Sequence, residues 1–419
     1  MNRKNVYCLR RIDLDLAPED VALGLRGLGG LVFLDSSSPS STGEALSLVA
    51  ARPTSIFSGN IAVAEDRELL RKSLDSGQNK IPADIALPSG GLIGQVDFDG
   101  SFIFGQYPEI LVFDHDNAIW WEVGNLSEAI SKDTDLPLPP DSLEFIADSD
   151  REDFLQGVRT AKDYISAGDI YQVNLAHRFS AAWPSDADAF GFYSVLRRVS
   201  PVPHGAYLEL NGRTILSASP ECFLKMSGRS ILTRPIKGTR PRFRDLELDQ
   251  RSADDLMTSP KEIAELVMIT DLERNDLGRI CEFGSVQTDE FLKLEAFEQV
   301  YHRVSTVSGM LRPEVDHIEA LQLCFPGGSI SGAPKKRALE IIEEIEPFRR
   351  GLYTGAIGYF GQNGESQFSI AIRTSELIGD RLHLHVGSGI VADSDPAAEY
   401  EETLHKAEGF FRAAEGRNS

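Results

Sequence analysis

Phe368-Ser369-Ile370-Ala371-Ile372-Arg373-Thr374-Ser375-Glu376-Leu377 is rich in β-branched and aromatic residues, and Gly379-Asp380 and then Arg381 to Val386 follow it. This pattern predicts two strands joined by a tight turn, a hairpin. Asp395-Pro396 then supplies an N-cap and a first-turn proline, which predicts a final helix running towards Ala414. Further back, Thr214 to Ser217 and Ile231 to Arg234 read as strands. Ser259 to Asp271 reads as a helix, with Ser259 at the N-cap, Pro260 at its first position and Glu262 placed to close a capping box. Another helix is predicted where Ser149 and Glu152 make a capping box and Phe154, Val158, Ala161 and Ile165 form one apolar stripe before Gly168. Strands and helices mix without a regular strand–helix–strand alternation. The expected class is α+β, with sheets packed under helices, and not a doubly wound nucleotide-binding domain.

Residues 1 to about 130 read as short strands and loops, with a polar serine-rich stretch from Ser36 to Ser41. Leu136-Pro137-Leu138-Pro139-Pro140 reads as a stiff connector, so the division expected is an N-terminal region, 1–145, and a second region, 146–419. A chain of 419 residues can bury a large core, and 42% hydrophobic with 25% charged residues is an ordinary globular balance. The formal net charge of −22 argues against a phosphate-binding nucleic-acid surface, which needs clustered Lys and Arg, and suits an anionic membrane poorly. Most of this acid reads as solubilising surface. Cys8, Cys222, Cys281 and Cys324 are far apart, with no Cys-x-x-Cys pair, which suits reduced thiols. Met1 to Asp15 lacks the apolar core of a signal peptide, and no window approaches the ~18 apolar residues of a membrane span. A cytoplasmic protein is expected, with neither nucleic acid nor membrane as partner.

Two helical segments each carry a Glu-x-x-Glu pair, Glu262 with Glu265 and Glu399 with Glu402. Residues three apart share a helix face. Two such faces together make an oxygen-rich site for a hard divalent cation, which would hold a substrate carboxylate that four glutamates alone would repel. The plainer reading is a solvated face, since the chain has 64 acidic residues. Pro326-Gly327-Gly328-Ser329-Ile330-Ser331-Gly332-Ala333-Pro334-Lys335 is a glycine-rich loop entering a helix, but Ala333 stands where a phosphate loop needs lysine, so nucleotide binding is not expected. Gly387-Ser388-Gly389 reads as a second glycine-rich turn, fit for an anion or for plain turn chemistry. Arg373, among apolar residues, needs either a bound carboxylate or an internal salt bridge. Tyr353 offers a hydroxyl donor or simply a core ring. Lys237 follows Arg234-Pro235-Ile236 at a strand end; it is a surface lysine or, partly desolvated near other cations, a nucleophile. Glu221, in Ser219-Pro220-Glu221, is a surface carboxylate or a general acid, and His302 a core histidine or a third titratable group. His383 and His385 lack a third metal ligand and read as structural.

Taken together these segments resemble the chorismate-utilising enzymes, and among them component I of the aminodeoxychorismate synthases. The resemblance is carried by Gly168-Asp169-Ile170-Tyr171-Gln172-Val173-Asn174-Leu175, Ser219-Pro220-Glu221, Arg234 to Arg242, Lys261-Glu262-Ile263-Ala264-Glu265 and Asp271-Leu272-Glu273-Arg274-Asn275-Asp276-Leu277-Gly278-Arg279. The glycine-rich loop, the Arg373 strand and Gly387 to Pro396 complete it, over roughly residues 150 to 410. The resemblance implies one large α+β unit, two sheets packed face to face and flanked by helices, with the active site between them. It implies Mg2+ on Glu265 and Glu402, with Glu262 and Glu399 holding metal-bound water. It also implies that Arg373, Tyr353 and the Gly389 backbone hold the enolpyruvyl carboxylate of chorismate, while Gly238 and Thr239 line its ring. Phe243 and Leu266 depart from the residues usual in the family.

Two positions choose among relatives. Family members that add water carry lysine where this chain has Gln172, and anthranilate synthases usually have alanine where it has Lys237. The resemblance therefore implies a transferase in which Lys237 attacks C2 of chorismate while Glu221 protonates the departing C4 hydroxyl. Ammonia then displaces the lysine, giving 4-amino-4-deoxychorismate for p-aminobenzoate and folate synthesis. His302 matches a histidine linked to pyruvate loss in anthranilate synthases and would here position substrate. No cysteine sits in an amidotransferase elbow, so the ammonia is expected from a separate glutamine amidotransferase subunit. The stretch around Ser36 roughly matches a tryptophan pocket of relatives. The alternatives are anthranilate synthase component I and a non-catalytic chorismate- or tryptophan-binding regulatory subunit.

Overall fold

The computed structural model describes residues 8–38, 45–75, 87–132, 135–297 and 299–416. Residues 1–7 of the Met1 to Asp15 stretch and residues 39–41 of the serine-rich stretch lie outside them. Two antiparallel sheets dominate, of twelve and ten strands among the described residues. The path of the first runs Leu9–Ile12, Ile119–Val123, Ile110–Asp114, Leu46–Ala50, Val32–Asp35, His204–Leu210, Arg213–Ser219, Thr374–Ile378, Arg381–Ile390, Gln172–Ala182 and Gly332–Ala333. The second runs Ile236–Pro241, Val300–Met310, Ser230–Arg234, Cys222–Ser227, Glu365–Ile370, Ala356–Gly361, Gly91–Val96, Ser101–Tyr107 and Ser55–Asn60. Strands from before and after residue 145 lie side by side in both.

Side chains alternate across a strand, so each sheet buries two faces. Ala206, Leu208 and Ile215 of the first sheet meet Ile93, Tyr107 and Ile357 of the second in a core between the sheets. Tyr207 and Leu216 point the other way, into a core shared with the helices Pro18–Leu25, Ala189–Val199 and Pro396–Ala414. On the far face of the second sheet, Phe104, Phe360 and Phe368 pack with Leu277, Ile318 and Leu321, from the helices Pro260–Gly278 and His317–Cys324. The architecture is the expected one, two sheets packed face to face with helices outside. No helix among the described residues is long and apolar enough to cross a membrane.

Several local expectations shift. The N-terminal region contains two helices, Pro18–Leu25 and Ala64–Asp75, as well as strands. The box that starts the Arg151–Ala167 helix is Asp150 with Asp153, one residue beyond Ser149 and Glu152; the Asp150 N–H donates to Asp153 Oδ2 at 3.2 Å. Most consequential is the quoted stretch 368–377, which is not one strand. Glu365–Ile370 belongs to the second sheet and Thr374–Ile378 to the first, with Ala371 to Arg373 crossing between them. The turn at Gly379-Asp380 and the return strand hold, but that strand continues to Ile390. Gly387-Ser388-Gly389 is therefore strand, not turn. Glycine is needed at 387 because a Cβ there would lie 2.6 Å from Leu175 O and 2.7 Å from Tyr353 Oη.

Phe104 is fully buried, with the rings of Phe102 and Phe360 each centred 5.6 Å away and Phe368 at 6.3 Å. Phe104→Ala is expected to lower the unfolding free energy by about 3–5 kcal/mol in urea titration; a loss below about 1 kcal/mol would contradict this packing.

Candidate active site

Two chain crossings between the sheets run side by side. Ser219-Pro220-Glu221 carries the chain from the first sheet to the second, and Ala371-Ile372-Arg373 carries it back. They are tied by Ser219 Oγ donating to Ile370 O (2.6 Å), Ile370 N–H to Glu221 O (3.1 Å) and Ala218 N–H to Arg373 O (2.9 Å). Arg373 sits in the left-handed region, φ 49°, a conformation non-glycine residues hold only where their surroundings enforce it. Its guanidinium makes no ion pair among the described residues, so the internal salt bridge weighed from the sequence is not formed; Glu221 is the carboxylate whose charge it feels.

Glu221 is buried, and burial pushes its carboxyl up against the opposing pull of Lys237 and a hydrogen bond from Ser329. Ser329 Oγ donates to Glu221 Oε1 at 2.7 Å, while Lys237 Nζ donates to Ser329 O at 3.3 Å. One residue of the glycine-rich loop thus touches both the candidate acid and the candidate nucleophile. Sequence reading assigned Ser329 no role, although the loop itself was conspicuous. Lys237 lies in a β-bulge: Ile236 pairs with Val304 and Thr239 with His302, leaving one residue extra. Gly238 completes the bulge at φ 85°, where a Cβ would come 2.6 Å from Glu262 Oε2. The positive charge of Lys237 bears on the carboxylates of Glu221 and Glu265. Thr239 Oγ1 lies 2.9 Å from His302 Nδ1. Burial, reinforced by Arg373, lowers His302 to about 3, so its ring is neutral near pH 7.

The carboxylates come from two helices, each capped as expected, by Ser259 and Asp395. Lys261 Nζ stands 3.3 Å from Glu399 Oε1 and 4.0 Å from Glu265 Oε1. Ser388 Oγ lies 2.5 Å from Glu399 Oε2 and 3.1 Å from Glu402 Oε1. Glu262 turns to Arg240 Nη1, 3.1 Å away. Glu265 Oε1 is buried without a hydrogen-bond partner among the described residues, and burial raises its carboxyl. Burial would raise Glu402 too, but Lys406, Lys261 and Ser388 hold it at about 2. Among the described residues no three ligands close on one point. Even so, an orphaned carboxylate oxygen and an ammonium standing on two carboxylates are what a hard cation's donor set would show with the lysine in its place.

Tyr353 is buried, stacked on His385 (5.6 Å, 16°). The Asn174 side chain bears on the Tyr353 hydroxyl, and Gln172 Oε1, on the same strand as Asn174, is buried without a hydrogen-bond partner among the described residues. Gly389 is opposite Asn174, and a Cβ on it would come 2.7 Å from Gln172 Nε2. Arg350, at 1% side-chain exposure, ties this wall to the loop: it pairs with Glu346 (2.6 Å) and donates to Asn174 O (2.6 Å) and Ile330 O (3.3 Å). Neither Arg350 nor Lys261 was singled out from sequence; a lone basic residue gives no signal until its partners are in place.

The family of chorismate binding enzymes matches this chain over residues 98–412. The chain belongs to that family. Anthranilate synthase component 1 of Thermus thermophilus is 47% identical over 271 residues, 65% of this chain but 58% of that protein, so the match spans little more than half of that relative. Aminodeoxychorismate synthase component 1 of Bacillus subtilis is 40% identical over 332 residues, 74% of this chain and 70% of that protein. The crystal structure of anthranilate synthase component I from Streptococcus pneumoniae TIGR4 is similar at 30% identity and TM-score 0.78, covering 89% of this chain and 93% of that one. In this chorismate binding enzyme a second space, a cavity of about 370 Å³, lies between the sheets beside the site. Ser36, Asp35 and His204 line it, as do Pro220, Cys222 and Ile236, the neighbours of Glu221 and Lys237.

His302 yields a pH prediction. Its folded pKa lies below the ordinary value of 6.5, so the stability it confers is complete above about pH 6.5 and is lost as pH falls towards 3. The stability difference between wild type and His302→Gln is expected to shrink between pH 6.5 and 4.5, by up to about 1.4 kcal/mol per pH unit. A difference independent of pH, in paired urea titrations, would contradict a buried neutral ring.

Proposed function

We propose that this chain is component I of an aminodeoxychorismate synthase, converting chorismate and ammonia to 4-amino-4-deoxychorismate in the cytoplasm. The observation that carries the reading is an amine and a raised carboxyl, Lys237 and Glu221, held on the same residue, Ser329. In the first step the Lys237 nitrogen bonds to C2 of the ring, both ring double bonds shift towards C4, and the C4 hydroxyl leaves as water with the proton of Glu221. In the second, ammonia bonds to C4 and the lysine departs from C2. Two allylic displacements replace one difficult substitution. The unpaired Arg373, the Tyr353 hydroxyl and the Gly389 backbone receive the enolpyruvyl carboxylate, Gly238 and Thr239 line the ring, and neutral His302 orients Thr239. Glu265 and Glu402 would hold Mg2+, with Glu262 and Glu399 beside them, and the ion when bound supplies the positive charge that fixes the ring carboxylate.

The ammonia comes, in this proposal, from a separate glutamine amidotransferase subunit, and the product serves p-aminobenzoate and folate synthesis. The cavity at Ser36 is the place where an effector such as tryptophan would be sought. A second reading, anthranilate synthase component I, is favoured by the 47% identical relative. It shares the ammonia chemistry but ends with loss of pyruvate.

Product mass from chorismate, magnesium and ammonium salt at mildly alkaline pH separates the two. The expected product is aminated and keeps its enolpyruvyl group, is lost or greatly slowed in Lys237→Ala, and forms about 10²- to 10⁴-fold more slowly in Glu221→Gln. Anthranilate as the main wild-type product would sink the proposal.

A further inference from the structure

The Pro260–Gly278 helix buries Leu266, Ile269, Thr270, Glu273, Asp276 and Leu277, one stripe at helical spacing. Two of these are acids where apolar residues would pack. Asp276 is accounted for, because Lys335 Nζ reaches it at 2.6 Å and also donates to Cys324 O at 3.0 Å, tying the stripe to both ends of the glycine-rich loop. Glu273 is 3% exposed, and among the described residues no cation stands at hydrogen-bond distance from it. Its Oε1 accepts the Gly328 N–H at 3.2 Å. The approach is close: a Cβ at Gly328 would lie 2.5 Å from Leu272 Cδ2 and 3.2 Å from Glu273 Oε1.

The next residue in the loop is Ser329. Its hydroxyl serves Glu221 and its carbonyl receives Lys237. We infer that Glu273 is a positioning residue that holds the glycine-rich loop on the Pro260–Gly278 helix, so that Ser329 meets Glu221 and Lys237 in register with Glu265, eight residues earlier on that helix. The inference rests on the reading of Glu221 and Lys237 as acid and nucleophile. Burial and then Asp276 raise the Glu273 carboxyl to about 8 against the pull of Lys335, with Glu221 adding to the rise. Near neutral pH the anchor accepts its hydrogen bond without placing a second negative charge beside the candidate acid. A displacement of about 1 Å at reacting groups is enough to lower rates 10²-fold.

Glu273→Met keeps the side-chain bulk and removes the acceptor; Glu273→Gln keeps a neutral acceptor. With chorismate, magnesium and ammonium salt, Glu273→Met is expected to lower kcat about 10- to 100-fold with KM for chorismate within about threefold, and Glu273→Gln to restore kcat. Because the effect runs through Ser329, adding Glu273→Met to Ser329→Ala should cost less than a further threefold. Hydrogen exchange in residues 326–333 should be at least about 10-fold faster in Glu273→Met and near wild type in Glu273→Gln. Full activity in Glu273→Met, or losses that multiply independently with Ser329→Ala, would overturn the positioning role while leaving the reaction intact. An inert wild type whose loop is still loosened by Glu273→Met would instead overturn the reaction reading, and the catalytic meaning of the anchor with it.

Discussion

The structure depends on two crossings that run antiparallel between its sheets. Ser219 to Cys222 leaves the first sheet for the second, and Ile370 to Thr374 returns. Each supplies hydrogen bonds the other lacks, through Ser219 Oγ, the Glu221 carbonyl and the Arg373 carbonyl, so the backbone groups freed where each strand ends are satisfied by its neighbour. The same geometry projects one side chain from each crossing into the space beside the sheets: a carboxyl raised by burial and a guanidinium with no ion pair among the described residues. The left-handed backbone at Arg373 is of the kind that costs about 1–3 kcal/mol, and the paired crossings are what enforce it. Fold and candidate site are therefore one construction.

Around this pair the charges are arranged in layers. Carboxylates on two helices face one another, and Lys261 between two of them supplies the positive charge that offsets their repulsion. Behind the opposite wall, Arg350 and Glu346 form a buried pair that binds the Gln172–Ala182 strand to the glycine-rich loop. Removing one partner of such a pair typically costs 3–5 kcal/mol, because the other charge is left buried. Polar contacts through Ser329, Lys261 and Arg350 thus tie the walls of the site to one another.

Much of this was legible in the sequence. The α+β class, the caps at Ser259 and Asp395 and the hairpin turn at Gly379-Asp380 follow from local rules that tertiary contacts did not override. Glu221 and Lys237, sixteen residues apart in sequence, meet through Ser329. The break at Ala371 to Arg373 was not legible, because a strand that changes sheets keeps its β-rich composition throughout. Gly387 to Gly389 was misread for the converse reason: glycines there allow close backbone approach inside a strand, and composition does not distinguish that from a turn. Ser329, Lys261 and Glu273 acquire meaning from partners 55 to 138 residues away, which no window along the chain contains.

The most direct test of the central claim is the intact mass of the protein after incubation with chorismate and magnesium without any ammonia source. A lysine nucleophile with no second displacement available should retain the ring, giving an added mass equal to chorismate less one water, mapped by peptide digestion to Lys237. An unmodified protein that nevertheless consumes chorismate once ammonia is supplied would contradict the account, leaving Lys237 as a bystander and direct amination as the chemistry.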